Sequence, residues 1–316
     1  MGRYAVLVSG PAGSGKSTLC SALIAHANTL GRTIHLVNLD PAAERFSYTP
    51  SIDVRELITL EDVMDEMKLG PNGGLVYCFE YLLENLDWLD EQLGGFEDDY
   101  LIIDCPGQIE LYTHTALLQG LLTYLSVSHS FRLCQLYLLE SHFVDEVSKF
   151  FAGTLSAMSA MINLEVPWIN VMSKMDLVER GETASRLGRG LRGKREMERY
   201  LDPDPLLLTE EANASTNPRF HSLNQSLVQL IDDFAMINFM PLDATSEDSV
   251  GALLSHIDHA MQSQEDEEPK EPRDMDKFEV DEGGGDELED DETRMEAMLE
   301  REMERRAGGG IGDVEI

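Results

Sequence analysis

The sequence predicts an α/β fold: a mostly parallel sheet with helices on both faces, a helical insertion, and an acidic, disordered C-terminal tail. Three observations predict it. Short apolar runs alternate with helix-length segments across residues 1–262, the order that gives right-handed crossovers and parallel pairing. The first run, Tyr4–Val8, leads straight into a glycine-rich stretch and then a helical pattern. Composition changes at Ser263, beyond which the chain carries 22 acidic and 7 basic residues and few apolar ones. So little apolar surface cannot offset the entropy of ordering a chain, so residues 263–316 are expected to form a separate, disordered tail.

Tyr4–Val8 is the first strand, and from Ser17 onward S-T-L-C-S-A-L-I-A-H-A has the apolar spacing of a helix. Thr33–Asn38 reads as a second buried strand ending in Leu39-Asp40-Pro41-Ala42-Ala43. Short helical patterns follow around Asp53–Leu57 and Leu60–Met67. Gly70-Pro71-Asn72-Gly73-Gly74 then reads as a turn, because proline fixes φ and glycine permits positive φ. A helical pattern covers roughly Leu82–Leu93, and Asp99–Asp104 is a third strand. Phe131–Leu139 is the fourth strand, followed by a helix through Phe143–Ile162. Pro167–Met172 is the fifth and Ile237–Leu242 the sixth, with a last helix from about Glu247 to Met261. The stretch from about 180 to 235 departs from this alternation. It carries Arg186, Arg189, Arg192, Lys194 and Arg195 and is punctuated by prolines. We read it as a helical insertion, with the arginines on a solvated face or in a partner-binding patch. In the tail, Glu292–Arg306 spaces opposite charges three and four apart, which suits a transient helix.

Composition excludes several functions. The net charge of −35 repels nucleic acid, so no direct nucleic-acid partner is expected. Cys20, Cys78, Cys105 and Cys134 lack C-x-x-C spacing and fit buried thiols in a reducing compartment. No apolar stretch is long enough to span a bilayer, so no membrane partner is expected. The first strand starts too early to leave room for a leader peptide. Val6 stands where a myristoylation signal following Gly2 needs Ser or Thr. The expected location is the cytoplasm.

The chemistry begins at Gly10–Thr18, G-P-A-G-S-G-K-S-T, a complete G-x-x-x-x-G-K-[ST] loop between strand and helix. That context predicts a P-loop NTPase fold. Backbone N–H groups of Gly13, Ser14, Gly15, Lys16, Ser17 and Thr18, with the positive helix end, would cradle a polyphosphate. Lys16 would reach the β- and γ-phosphates, and the Ser17 hydroxyl would bind Mg²⁺. Asp104-Cys105-Pro106-Gly107-Gln108 ends the third strand. Asp104 there can hold Mg²⁺ through a water, Gly107 permits close approach to a γ-phosphate, and Gln108 can orient an attacking water. Asp40 ends the second strand as a carboxylate facing metal or water, or as a cap for the following turn. Glu110 is a further candidate beside Gln108. His114 and His142 lack metal-spaced companions and read as structural. Ser173-Lys174-Met175-Asp176 closes the fifth strand. The Asp176 carboxylate would accept two N–H bonds from guanine, which adenine cannot donate. Lys174 can lay its stem along the base, while Ser173 stands where Asn or Thr is usual and shortens that arm. Leu242-Asp243-Ala244 would pass the base again.

Taken together and in order, the phosphate loop, D-P-A-A-E, G-P-N-G-G, D-C-P-G-Q-I-E-L-Y-T-H and S-K-M-D resemble the GPN-loop GTPases across residues 1–262. The departures are Ser173, Glu140 in place of Asp, and the tail, which the resemblance does not cover. The resemblance implies a GTPase that binds GTP and GDP with Mg²⁺. It implies a homodimer, or a heterodimer with a paralogue, in which Gly70, Pro71 and Asn72 reach across to the partner's nucleotide. Asn72 would then act in trans as arginine fingers do elsewhere. It also implies service in RNA polymerase II assembly, with RNA polymerase II subunits as partners, and traffic into the nucleus.

Other readings stay open at this point. A P-loop kinase acting on a small molecule or RNA end would use the insertion's arginines as a lid. A nucleotide-responsive scaffold would bind without appreciable turnover. A metal-delivery GTPase is disfavoured because paired Cys and His ligands are missing.

Overall fold

The structure is a computed structural model, and it describes residues 2–43, 49–94, 100–180, 200–201, 205–234 and 238–262. These lie within one compact unit, Met1–Glu267. The tail beyond Gln262 and the arginines at 186–195 lie outside the described residues.

Seven parallel strands form one sheet: β1 (Arg3–Ser9), β2 (His35–Asn38), β3 (Ile52–Asp53), β4 (Tyr100–Asp104), β5 (Phe131–Glu140), β6 (Trp168–Ser173) and β7 (Phe239–Pro241). Their order is β3-β2-β4-β1-β5-β6-β7. The chain first winds outward from β1 to β2 and β3, and β4 then fills the gap beside β1. Later strands continue on the other side, so the loop after β1 emerges where ligand-binding crevices form in such sheets. In register, Asp104 lies opposite both Val8 and Asn38. The last residues of β1, β2 and β4 therefore open onto one place.

Side chains alternate across the strands as the pleat requires. Val6, Val8, Ile102, Leu136 and Leu138 pack under α1 (Lys16–Thr29) and the C-terminal helix Glu247–Gln262. Ala5, Leu7, Ile103, Leu133 and Tyr137 pack on the opposite face. That face is covered by α3 (Pro71–Glu84), α4 (Leu86–Leu93), α5 (Glu110–Thr113), α6 (Leu117–His129) and α7 (Val147–Leu164), with α2 (Leu60–Met67) packed on α3. After α8 (Met175–Arg180), the described part of the insertion includes α9 (Pro205–Ser215) and α10 (His221–Asp233), joined through a 3-10 turn at Pro218–Phe220. Their Leu208, Ala212, Val228 and Ile231 pack on α7 with Phe150 and Phe239. The described helices of the insertion thus extend the existing core.

Two expectations need correction. Gly70–Gly74 is not a free turn. Gly70 caps α3 from an extended conformation and Pro71 begins it, because proline's fixed φ and missing N–H suit a first helical turn. The single pattern at 82–93 is two helices that meet at Asn85, whose backbone leaves the helical region at φ −121° and ψ 43°. The short helical pattern at Asp53–Leu57 is a single 3-10 turn, Val54–Glu56, with Asp53 at its N-cap and Leu57 at its C-cap, and Ile52–Asp53 also pairs with Val37–Asn38 as an edge strand. Glycines and short polar stretches also concealed α6 (Leu117–His129), which the strand-and-helix reading left out.

Candidate nucleotide site

The loop between β1 and α1 is shaped by its backbone. Gly10 has φ +133°, and a side chain there would meet the Leu138 carbonyl oxygen at 2.4 Å. The loop therefore enters hard against β5. Gly15 caps α1 in the left-handed region, with no side chain bonded to the helix's first N–H groups. Those groups stay directed at the loop as an anion-binding end. Lys16 is buried, and its ammonium donates to the carbonyls of Gly10 (3.1 Å) and Pro11 (3.2 Å). Burial lowers its pKa, while Asp104 and Asp40 pull the other way. Gly13, Ser17 and Thr18 are exposed on this rim, and Ser14 is buried beneath it.

Below the loop sits a row of acids. Asp104 is 2% exposed, and burial pushes its carboxyl up to about 6, against the opposing pull of a Ser17 hydrogen bond and the Lys16 charge. One of its oxygens has no hydrogen-bond partner among the described residues. A buried carboxylate with an unpaired oxygen, beside a hydroxyl, fits Mg²⁺, which takes one or two protein oxygens and keeps several waters. Groups of three or more His, Cys, Asp or Glu ligands are absent among the described residues. Asp40 is half-buried nearby, raised by burial and lowered by the Ala42 N–H, Lys16 and Arg55. It does cap its turn, accepting from the Ala42 N–H at 2.9 Å, and it also lies close enough to feel Lys16.

The turn carrying Asp40 hangs on residues that motif reading passed over. Asn38, fully buried, accepts from the Asp40 N–H (2.9 Å) and donates to the Asp40 carbonyl (3.1 Å) and to Asp53 Oδ1 (2.8 Å). Arg55 forks onto Asp53 and also donates to the Ala43 carbonyl at 2.8 Å. Burial pushes Asp53 up, but these bonds from Arg55 and Asn38 outweigh it and hold the carboxyl below its usual range.

The connection after Asp104 is equally tied. Gly107 lies against Ala12 of the loop, where a side-chain carbon would come within 2.8 Å of the Ala12 Cα. The Gln108 side chain is half-buried, with its carbonyl oxygen unpaired among the described residues. Glu110 is exposed at the start of α5. The Tyr112 hydroxyl donates to the Pro106 carbonyl, and Asn163 of α7 donates to the carbonyls of Tyr112 (2.7 Å) and Thr115 (3.0 Å).

On the other flank, Ser173 is 4% exposed and its hydroxyl donates to the Ser14 carbonyl at 2.7 Å. Its short arm therefore braces the phosphate loop. Lys174 turns the chain at φ +59° and pairs with Glu140 at 2.6 Å, while Ser141 donates to the Lys174 carbonyl at 3.0 Å. Glu140 and Ser173 are register partners, so the Glu in place of Asp has a local use. Met175 N–H donates to the Leu242 carbonyl at 3.1 Å, which brings the Leu242-Asp243-Ala244 segment beside S-K-M-D. Asp176, half-buried, lies in the first turn of α8.

Gly70, Pro71 and Asn72 are all exposed at the amino tip of α3. Met67 (51% exposed) and Leu69 (37%) flank them. His142 pairs with Asp145 at 3.1 Å on the surface, as a structural residue would.

Residues 8–263 match a family model described as "Conserved hypothetical ATP binding protein". The chain is 73% identical over 276 residues to the protein called GPN-loop GTPase 3 of Mycosarcoma maydis, covering 87% of this chain and 98% of that one. Identity to the protein of that name in Schizosaccharomyces pombe is 54%, over 92% and 100% of the two chains. With the one in Saccharomyces cerevisiae it is 53%, over 87% and 98%. Among solved structures, a GTPase in apo form from Pyrococcus abyssi superposes with a TM-score of 0.66 at 22% identity, covering 81% of this chain and 97% of that one. That likeness speaks for the fold.

Proposed function

This chain belongs to the GPN-loop GTPase family, and from that premise we propose that it binds and hydrolyses GTP as a Mg²⁺-dependent dimeric switch. The observation that carries the proposal is the meeting of Lys16, Ser17, Asp104 and Asp40 at the ends of β1, β2 and β4, with S-K-M-D bonded to the same loop through Ser173.

The roles follow from chemistry. The loop N–H groups and Lys16 would hold the triphosphate and take up charge as the terminal phosphoryl leaves. Ser17 and Asp104 would hold Mg²⁺, which when bound neutralises charge on the β- and γ-oxygens. Gln108 would orient the attacking water, with Asp40 facing metal or water. Asp176 would read guanine by its two donors. Asn72 would act on the nucleotide of a second subunit, and its exposure at a helix tip is compatible with that reach.

Service in RNA polymerase II assembly and nuclear import, and pairing with a paralogue, are supported by the family resemblance. No described helix is long and apolar enough to cross a membrane.

Product analysis with γ-labelled GTP tests the enzyme class: free phosphate is expected, and a phosphorylated acceptor would mark a kinase. Side-by-side GDP and ADP affinities test the base. Equal affinities would remove the role of Asp176, and tighter ADP binding would favour the adenine nucleotide named in the family model's description.

A further inference from the structure

We infer that Asn38, Asp53 and Arg55 are positioning residues that hold the Asp40 turn in register with the phosphate loop; the inference rests on the nucleotide-site reading above. The turn is fixed at several independent points. Asn38 bonds both the N–H and the carbonyl of Asp40, as a paired strand would. Arg55 holds the Ala43 carbonyl, and the Leu60 N–H donates to the Pro41 carbonyl at 3.2 Å. The Leu39 N–H donates to the Asp104 carbonyl at 2.9 Å. Asp53 joins the arrangement into one unit, because it accepts from Asn38 on one side and from Arg55 on the other.

Its chemistry suits precision. Arginine presents a rigid fork that can meet a carboxylate and a carbonyl together, which lysine cannot. Asn38 is 0% exposed with its amide spent on neighbours, so it cannot itself touch substrate. The clamp also bears on α2, whose first residue Leu60 is bonded to Pro41. A carboxylate held this way faces Lys16 and Asp104 without needing a ligand to order it, which is how preorganised sites avoid reorganisation during reaction.

The test compares Arg55→Ala, Arg55→Lys and Asp40→Asn singly, and Arg55→Ala with Asp40→Asn together, in the full chain. Single-turnover GTP hydrolysis should fall roughly tenfold in Arg55→Ala, in line with the cost of a small misplacement. GDP affinity should change by less than about threefold, since the loop and Lys16 are untouched. The double variant should be no slower than the slower single one, because residues that act through one another are not additive. Millimolar guanidinium should restore part of the Arg55→Ala rate. Amide exchange in nucleotide-free protein provides a readout independent of activity: Arg55→Ala should speed exchange at the Asp40, Ala42 and Ala43 amides while β1 and α1 stay protected. Additive rates, or exchange unchanged at those amides or raised throughout the sheet, would overturn the inference. Should Arg55→Ala fail to fold, Arg55→Lys decides by the same measurements. Absence of hydrolysis in the unaltered protein would remove the GTPase reading, and the exchange data would still decide the clamp.

Discussion

The Ser173 hydroxyl donates a 2.7 Å hydrogen bond to the backbone carbonyl of Ser14, so the strand end that would read the base is bonded to the loop that would hold the phosphates. Residues 159 positions apart thereby set one distance, the spacing between the two ends of a nucleotide.

Ser173→Ala should leave the Ser14 carbonyl without this donor in a buried place. The expected cost is about 1–3 kcal/mol of stability and about a tenfold loss of GDP affinity. Ser173→Thr keeps the hydroxyl and should retain both. Thermal unfolding and nucleotide titration check this; equal behaviour of the two variants would deny the bond any role.

Asp104 gives a pH signature in the nucleotide-free protein. Its folded pKa of about 6 lies above the ordinary carboxylate value. A raised pKa means a stabilising contribution that is complete below the unfolded value, near about 3.9, and is lost as pH rises through about 6. Asp104→Asn should match the unaltered protein near pH 4 and exceed it by about 2–3 kcal/mol above pH 7. Urea unfolding across that range reads the difference, and a difference independent of pH would assign it to something other than this carboxyl. The same variant should lose Mg²⁺-dependent nucleotide retention.

Asp176→Asn replaces a two-acceptor edge with one acceptor and one donor. GDP affinity should fall about a hundredfold or more, and affinity for xanthosine diphosphate, which offers a carbonyl where guanine has an amino group, should rise. Competition titration with both nucleotides is the measurement. A uniform loss for both would mean the carboxylate acts elsewhere.

Asn72→Ala should bind GDP normally and turn over about ten- to a hundredfold more slowly, less than the loss typical of an arginine finger. Mixing it with a nucleotide-defective Lys16→Ala chain should restore turnover, because each mixed dimer then holds one sound loop facing one sound site. If mixing restores nothing, the across-subunit mechanism fails.

Much of this site was legible because its parts are local. Gly10–Thr18, Asp104 and Asp176 each sit in a short run whose strand or helix neighbours also announce themselves. The parts that escaped are defined by distant partners. Asn38 looks like the end of a strand until Asp53 is placed beside it. β3 spans two residues, too few for any periodicity, and it exists because Val37–Asn38 offer it an edge. Ser173 looked diminished by its length, and its contact is with a backbone atom no pattern encodes. The G-P-N-G-G stretch carries turn residues, yet proline at a first helical position and packing of α3 on α2 decide the matter in favour of helix.

The four cysteines are free and buried, and burial raises their thiols, to about 11 for Cys78 and about 12 for Cys134. Maleimide dyes react with exposed thiolates, so the native set should stay silent during labelling. One cysteine introduced on the exposed face of α2 or α3 would then carry a fluorophore alone, and movement of the Asn72 tip could be watched in solution without first rebuilding the core.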